Sequence, residues 1–341
     1  MRNSLFLIAV VLASWALTWA LRHYALANSV MDIPNARSSH RIPTPRGGGV
    51  AIVVTFLAAV IVLWGAGLLS LSYVLAVGGA AAWIAVVGFM DDHGHIPARW
   101  RLLAHFLGAA WAVYWLGGVA PVDLFGVILD LGWLGMFLAV LYLVWLLNLY
   151  NFMDGIDGIA SIEAISVTAA GALFHYLIGQ SASAGVSLAL LAAVLGFLIW
   201  NFPPAKIFMG DAGSGFLGMV MGVMSLQAGW IEPELFWCWL IMLGVFVVDA
   251  TLTLLRRLIR GEKVYEAHRS HAYQFASRRF ASHRVVTLSV LGINLLWLLP
   301  MALLVLNGIL SGVGGLIIAY APLIFLAMYF RAGAAVPSAQ V

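Results

Sequence analysis

The chain reads as an all-α, polytopic membrane protein with about eleven transmembrane helices, and three observations predict this. Of 341 residues, 63% are hydrophobic and 9% charged, against roughly 25% charged in an average soluble domain. Apolar runs close to the roughly 20 residues a bilayer-spanning helix needs recur along the whole length. All Lys and Arg residues except Arg2 fall in alternate connections between those runs.

The apolar runs cover about 4–21, 48–67, 70–89, 102–118, 133–152, 159–177, 184–200, 213–229, 235–255, 286–307 and 310–330. The first begins behind Met1-Arg2 like a signal peptide. It has no small-residue cleavage site before Arg22 and further spans follow, so a retained anchor is expected. The 35 Gly and 14 Trp suit helices packed in lipid with aromatic anchors. No soluble domain, low-complexity tract or short-period repeat interrupts the pattern, so residues 1–341 form one integral membrane domain. The single cysteine, Cys238, excludes a disulfide framework and a cysteine-based metal cage.

Eleven alternating spans put the connections 22–47, 90–101, 153–158, 201–212 and 256–285, and the tail after 330, on one side. That side holds the basic residues. The opposite connections carry Asp123, Asp130, Glu232 and Glu234 and neither Lys nor Arg. The positive-inside rule makes the basic side cytoplasmic, with a periplasmic N-terminus and an internal C-terminus.

Most of the remaining polar residues lie on that same side. Asp91 and Asp92 end the third span. Asn148, Asn151, Asp154 and Asp157 close the fifth. Asn201, Lys206 and Asp211 sit between the seventh and eighth, and His268, Arg269 and His271 in the last long loop. Taken alone, each stretch has a bland reading as a solvated cap or a turn. Together, unpaired acids near apolar surface are costly and call for a positive partner. A divalent metal answers this, and magnesium prefers one or two carboxylates completed by water and substrate phosphates. The five carboxylates exceed what one ion needs, so some position a substrate or accept a proton.

Gly155 and Gly158 alternate with Asp154 and Asp157, and Gly210, Gly213 and Gly215 surround Asp211. Such stretches let backbone N–H groups approach an anion, and the eighth span offers a helix N-terminus to phosphate. Neither stretch is a P-loop, because no G-K-[ST] follows. Glu163 and Asp249, inside apolar runs, read as structurally paired acids, and His105 and His175 as packing residues.

Five motifs carry a resemblance over nearly the whole chain: Pro43 to Gly49 (P-x-P-R-G-G-G), the Asp91-Asp92 pair, Asn148 to Ala160 (N-x-x-N-x-x-D-G-x-D-G-x-A), Asn201 to Ser214 (N-x-x-P-A-x-x-F-M-G-D-x-G-S) and the histidine loop. The chain resembles the polyprenyl-phosphate N-acetylhexosamine-1-phosphate transferases, the superfamily of phospho-MurNAc-pentapeptide translocase and the O-antigen initiators. The resemblance implies a magnesium enzyme (manganese being the alternative) of the bacterial cytoplasmic membrane with its active site on the inner face. It would transfer a sugar-1-phosphate, of N-acetylhexosamine or 6-deoxy-N-acetylhexosamine type, from a UDP-sugar to undecaprenyl phosphate, with release of UMP. The partners implied are UDP-sugar, undecaprenyl phosphate and membrane lipid, with a homodimer left open and no nucleic acid.

Residue by residue, Asp211 resembles the metal ligand, with Asp92 a second candidate, and Asp91 or Asp92 the groups meeting the lipid phosphate. Asp154 and Asp157 are similar to the pair that supports metal and nucleotide, Asn201 to a diphosphate contact and Phe208 to the ring stacked on uracil. Arg46, Arg101, Asn148, Asn151 and Arg257 fall at substrate-binding positions, and His268, Arg269 and His271 at positions that stabilise phosphate charge. The relatives' H-x-H-H becomes His268-Arg-Ser-His271 here, and the Gly261 to Ala267 segment is shorter. Both departures fall in the loop expected to read the sugar. The H-R-S-H form looks closer to O-antigen initiators. Direct attack by the lipid phosphate and a route through a covalent aspartyl-phosphate are both compatible with these residues. A secondary transporter would place ionisable groups near the bilayer midplane on paired repeats, and the clustering at one end of the spans argues against it.

Overall fold

The computed structural model describes residues 2–34, 40, 42–94, 96–262 and 269–335. Lipid offers backbone groups no hydrogen-bond partner, so spans must bond internally as helices. Every one of the eleven apolar runs is helical. In chain order the helices are α1 (Arg2–Ala27), α2 (Gly49–Gly65), α3 (Leu71–Gly94), α4 (Ala98–Leu116), α5 (Gly132–Met153), α6 (Ile159–Leu177) and α7 (Ser181–Asn201). They continue with α8 (Asp211–Ile231), α9 (Pro233–Met242), α10 (Gly244–Ile259), α11 (Ala272–Phe280), α12 (His283–Leu306) and α13 (Gly312–Tyr329). Single π-helical turns, Leu75–Gly79 and Asn294–Leu298, interrupt α3 and α12.

The protein is an all-α polytopic membrane protein. Among the described residues eight helices are long and apolar enough to cross a membrane, or nine if α9 and α10 are one span. The run 235–255 is broken at Leu243, where α9 and α10 bend by 68°. Helix α2 has 17 residues, and Arg99, Arg101 and His105 dilute the apolar run of α4. Two short antiparallel pairs complete the secondary structure. Met31–Asp32 (β1) pairs with Thr44–Pro45 (β2). Val122–Leu124 (β3) pairs with Val127–Leu129 (β4) in a hairpin before α5.

Helix α8 is the axis of the bundle, packed against α2, α3, α5 and α9. Small residues let the backbones approach closely, as is usual between membrane helices. A Cβ at Gly88 of α3 would stand 2.6 Å from the Asp211 carbonyl oxygen, and one at Gly213 2.7 Å from the Cα of Gly49. These contacts fix the ends of α2, α3 and α8 against one another. The acids inside apolar runs are paired as expected. Asn294, in the π turn of α12, donates to Glu163 of α6 at 2.7 Å. Asp249 of α10 accepts from the first N–H groups of α11, those of Ala272 at 2.9 Å and Tyr273 at 3.0 Å.

Candidate active site

Four segments distant in sequence meet at one end of the bundle. The first is the turn before α2. Phe208 N–H donates to the Pro45 carbonyl at 2.8 Å, and Gly48 and Gly49 N–H donate to the carbonyls of Phe208 and Met209, both at 2.9 Å. This pairing carries Arg46 alongside the 208–211 segment. Gly47 makes the turn at φ +93, a left-handed conformation that favours glycine even though the space beside its Cα is open.

The second segment is the end of α3. Asp92, its side chain 4% exposed, accepts from Arg46 Nη2 at 2.7 Å. It also accepts from the N–H groups of Asp211 and Ala212, each at 3.3 Å. The carboxylate therefore caps α8 from a neighbouring helix and complements its positive end. Asp91 pairs with Arg101 and accepts from Ile96 N–H at 2.8 Å.

The third segment follows α5. Asn151 Oδ1 accepts from the Ser214 hydroxyl at 2.8 Å, which ties α5 to α8. Asp157 accepts from Ala205 N–H at 3.0 Å and lies 3.2 Å from His283 Nδ1, while its carbonyl accepts from the Thr287 hydroxyl at 2.8 Å. The fourth segment, 201–211, is held by Asn201. That buried amide accepts from Gly158 N–H and donates to the Ile207 carbonyl, both at 3.0 Å. Gly210, at φ +78, turns the chain into α8.

Between these segments lies a cavity of about 260 Å³, lined by Arg46, Asn151, Asn201 and Phe208 and by the acids Asp92, Asp154, Asp157 and Asp211. Arg101 reaches toward it, 3.8 Å from the Asp211 carboxylate. Burial pushes the Asp154 carboxyl well above the ordinary carboxylate range, and the charges of Asp211, Asp157 and Asp92 push it the same way. Among the described residues the carboxylates of the cavity outnumber the two arginines beside them. Among the described residues no three of His, Cys, Asp and Glu stand close enough to cage an ion by themselves. Magnesium needs only one or two carboxylates when phosphates and waters complete its shell, and the surplus of hard oxygen donors fits that ion.

Other expected site residues are placed elsewhere. Asn148 bonds to His105 at 3.2 Å and to the Val144 carbonyl at 2.7 Å, outside the cavity lining. Arg257, buried at the end of α10, pairs with Glu262 at 2.8 Å. His271, also buried, caps α11, with Nδ1 3.4 Å from Asp249 and its ring stacked on Tyr273 at 5.6 Å between centroids. The Arg269 carbonyl accepts from Arg278 at 3.3 Å. His268 lies outside the described residues. The histidine region still meets the cavity, because Gln274 of α11 lines it and the Tyr273 hydroxyl donates to the Phe152 carbonyl at 3.0 Å.

Sequence reasoning missed Asp32, His40, Gln274 and His283, all of which line the cavity. His40 packs edge-on to Phe208, 4.8 Å between ring centroids. The one signal for His283 was a histidine in the first turn of a span, at the end where the acids gather.

The family model of glycosyl transferase family 4 matches residues 74–229. A Bacillus subtilis protein named "Probable undecaprenyl-phosphate N-acetylglucosaminyl 1-phosphate transferase" is 31% identical over 290 residues, which are 83% of this chain and 79% of that protein. A decaprenyl-phosphate N-acetylglucosaminephosphotransferase of Mycolicibacterium smegmatis is 26% identical over 316 residues, 83% of this chain and 77% of that one. A phospho-N-acetylmuramoyl-pentapeptide-transferase of Moorella thermoacetica is 33% identical over 198 residues, 54% of this chain and 61% of the other.

Proposed function

Because the chain belongs to the polyprenyl-phosphate N-acetylhexosamine-1-phosphate transferase family, we propose that it transfers an N-acetylhexosamine-1-phosphate from a UDP-sugar to undecaprenyl phosphate. The observation that carries this reading is the under-neutralised carboxylate cavity, built on α3, α5 and α8 where the apolar helices end. A site where a sugar diphosphate meets a lipid phosphate needs that location and oxygen donors for a cation.

The second pKa of a phosphate monoester is near 6, so much of the acceptor is dianionic at neutral pH without a strong base. One of its oxygens attacks the sugar-bound phosphorus, and the P–O bond to UMP breaks, with UMP taking the electron pair. Positioning and charge neutralisation then do most of the work. Arg101, between Asp91 and Asp211, and Arg46, on Asp92, bring guanidinium charge to the phosphates. Asp92 has both oxygens engaged by Arg46 and the start of α8, so Asp211 and Asp154 are the favoured ligands of a magnesium ion. When bound, that ion would supply charge neutralisation of the diphosphate. Phe208 offers a face for uracil, and His268, Arg269 and His271 belong to the loop that would read the sugar.

The basic connections favour a cytoplasmic site in the bacterial inner membrane, with the N-terminus in the periplasm. The His268-Arg-Ser-His271 form favours a role in starting a lipid-linked surface polysaccharide such as an O-antigen. Purified protein, undecaprenyl phosphate and magnesium, assayed with a panel of UDP-N-acetylhexosamines, test the reaction through UMP release. Absence of UMP from every donor would sink the proposal.

A further inference from the structure

The 260 Å³ cavity is small for a nucleoside diphosphate sugar, since pockets for drug-sized ligands alone run to roughly 300–1,000 Å³. A wider groove of about 840 Å³ adjoins it, bounded by the 203–205 loop on one side and the α11–α12 junction on the other. His40, Asp157, Phe208 and His283 line both spaces, so they form the partition that a donor extending from one space into the other must pass.

Within that partition Asp157 and His283 are joined. Asp157 N–H donates to His283 Nδ1 at 3.4 Å, and the same ring nitrogen stands 3.2 Å from the Asp157 carboxylate oxygen Oδ1. The second carboxylate oxygen is taken by Ala205 N–H, and Thr287, one helical turn after His283, takes the Asp157 carbonyl. The start of α12 therefore grips the backbone of Asp157 at both its N–H and its carbonyl, with the imidazole beside the carboxylate. The side chains are 19% and 12% exposed, so the pair is open to the cavities and not sealed in the core.

From this geometry we infer that His283 is a positioning residue for the donor: by holding the Asp157 backbone it sets the Asp157 carboxylate at the passage between cavity and groove. The inference rests on the transfer reaction proposed above. Steady-state kinetics with UDP-GlcNAc and undecaprenyl phosphate, varied separately, test it. Loss of this backbone hydrogen bond in His283→Ala raises the donor KM about fivefold to tenfold, with the acceptor KM and kcat little changed. His283→Asn keeps an acceptor, its Oδ1, near the Nδ1 position and brings the donor KM back toward wild type. In the double variant with Asp157→Asn, the alanine adds no further loss, because its effect runs through Asp157.

Independent, multiplying losses in the double variant overturn the inference, as does an unchanged donor KM in His283→Ala. A rise in the KM of both substrates with a fall in Tm, neither rescued by asparagine, also overturns it, by marking a purely structural histidine. An active wild type with unperturbed variants defeats this inference alone. A wild type that neither releases UMP nor binds it in calorimetry defeats the reaction, and the inference with it.

Discussion

Asp211 and Asp249 are aspartates at comparable places, each beside a helix start at the same end of the bundle, yet their surroundings differ. Asp249 receives two backbone N–H groups of α11 and the Thr253 hydroxyl at 3.2 Å, with His271 beside it. Its oxygens are saturated and its side chain is 6% exposed. Asp211 opens α8, has a side chain 36% exposed, and finds its nearest cation, Arg101, at 3.8 Å. It shares the cavity with Asp154, whose carboxyl its charge helps push above the ordinary range. A carboxylate satisfied by the fold stabilises the fold. One left short of positive charge in a cleft is a candidate for chemistry.

The comparison breaks or sharpens on four substitutions. Asp211→Asn keeps the shape of the side chain and removes a hard anionic ligand, so UMP release should fall about a hundred-fold or more. The thermal unfolding temperature, followed by tryptophan fluorescence, should hold or rise as repulsion is relieved. Loss of stability with retained turnover would make Asp211 a second Asp249. Asp249→Ala should do the reverse. It strands the opening N–H groups of α11 and should cost about 2 kcal/mol of stability in denaturant titration. Folded protein would keep a larger share of its activity than Asp211→Asn does.

Arg46→Ala is intermediate. It removes the cation from Asp92 but leaves the α8 N–H groups in place, and Arg46 is itself 32% exposed. A loss of about 1 kcal/mol is expected after solvent screening, together with weaker substrate binding. A loss as large as that of Asp249→Ala would mean that α8 cannot hold Asp92 unaided. The smallest effect belongs to Arg260→Ala. Its pair with Glu262 is about one-third exposed on both sides, and the two arginines beside Glu262 hold that carboxyl below its ordinary range. Unfolding should shift by no more than about 0.5 kcal/mol. A larger shift would extend the structural class to the rim.

Hydropathy made all eleven helical runs legible, because burial in lipid demands long apolar stretches whatever their partners. It is blind to direction, so the 68° bend at Leu243 and the π turns were invisible. The amphipathic helix α11 also escaped notice, since its sequence is too polar to register as a span. At the site, acids against the charge bias pointed to Asp91, Asp92, Asp154, Asp157 and Asp211, and all five stand in or beside one cavity. Sequence could not separate Asp92, which caps a helix from another span, from Asp154, which lines the cavity without such backbone partners. That difference depends on which segments meet. The same limit hid His283, whose importance lies in standing opposite a residue 126 positions earlier.

The grip of α12 on Asp157 has a consequence for how the protein is made. Every acid of the cavity precedes residue 212, whereas His283 and Thr287 come from a helix synthesised much later. During translation, α1 to α8 can insert and pack while the far wall of the groove is still in the ribosome. A nascent chain at that stage carries the whole anionic cluster without the helix that fixes Asp157. The order of synthesis thus leaves the wall between cavity and groove unfinished until α12 has been laid down, and a chain that stalls before residue 287 lacks it.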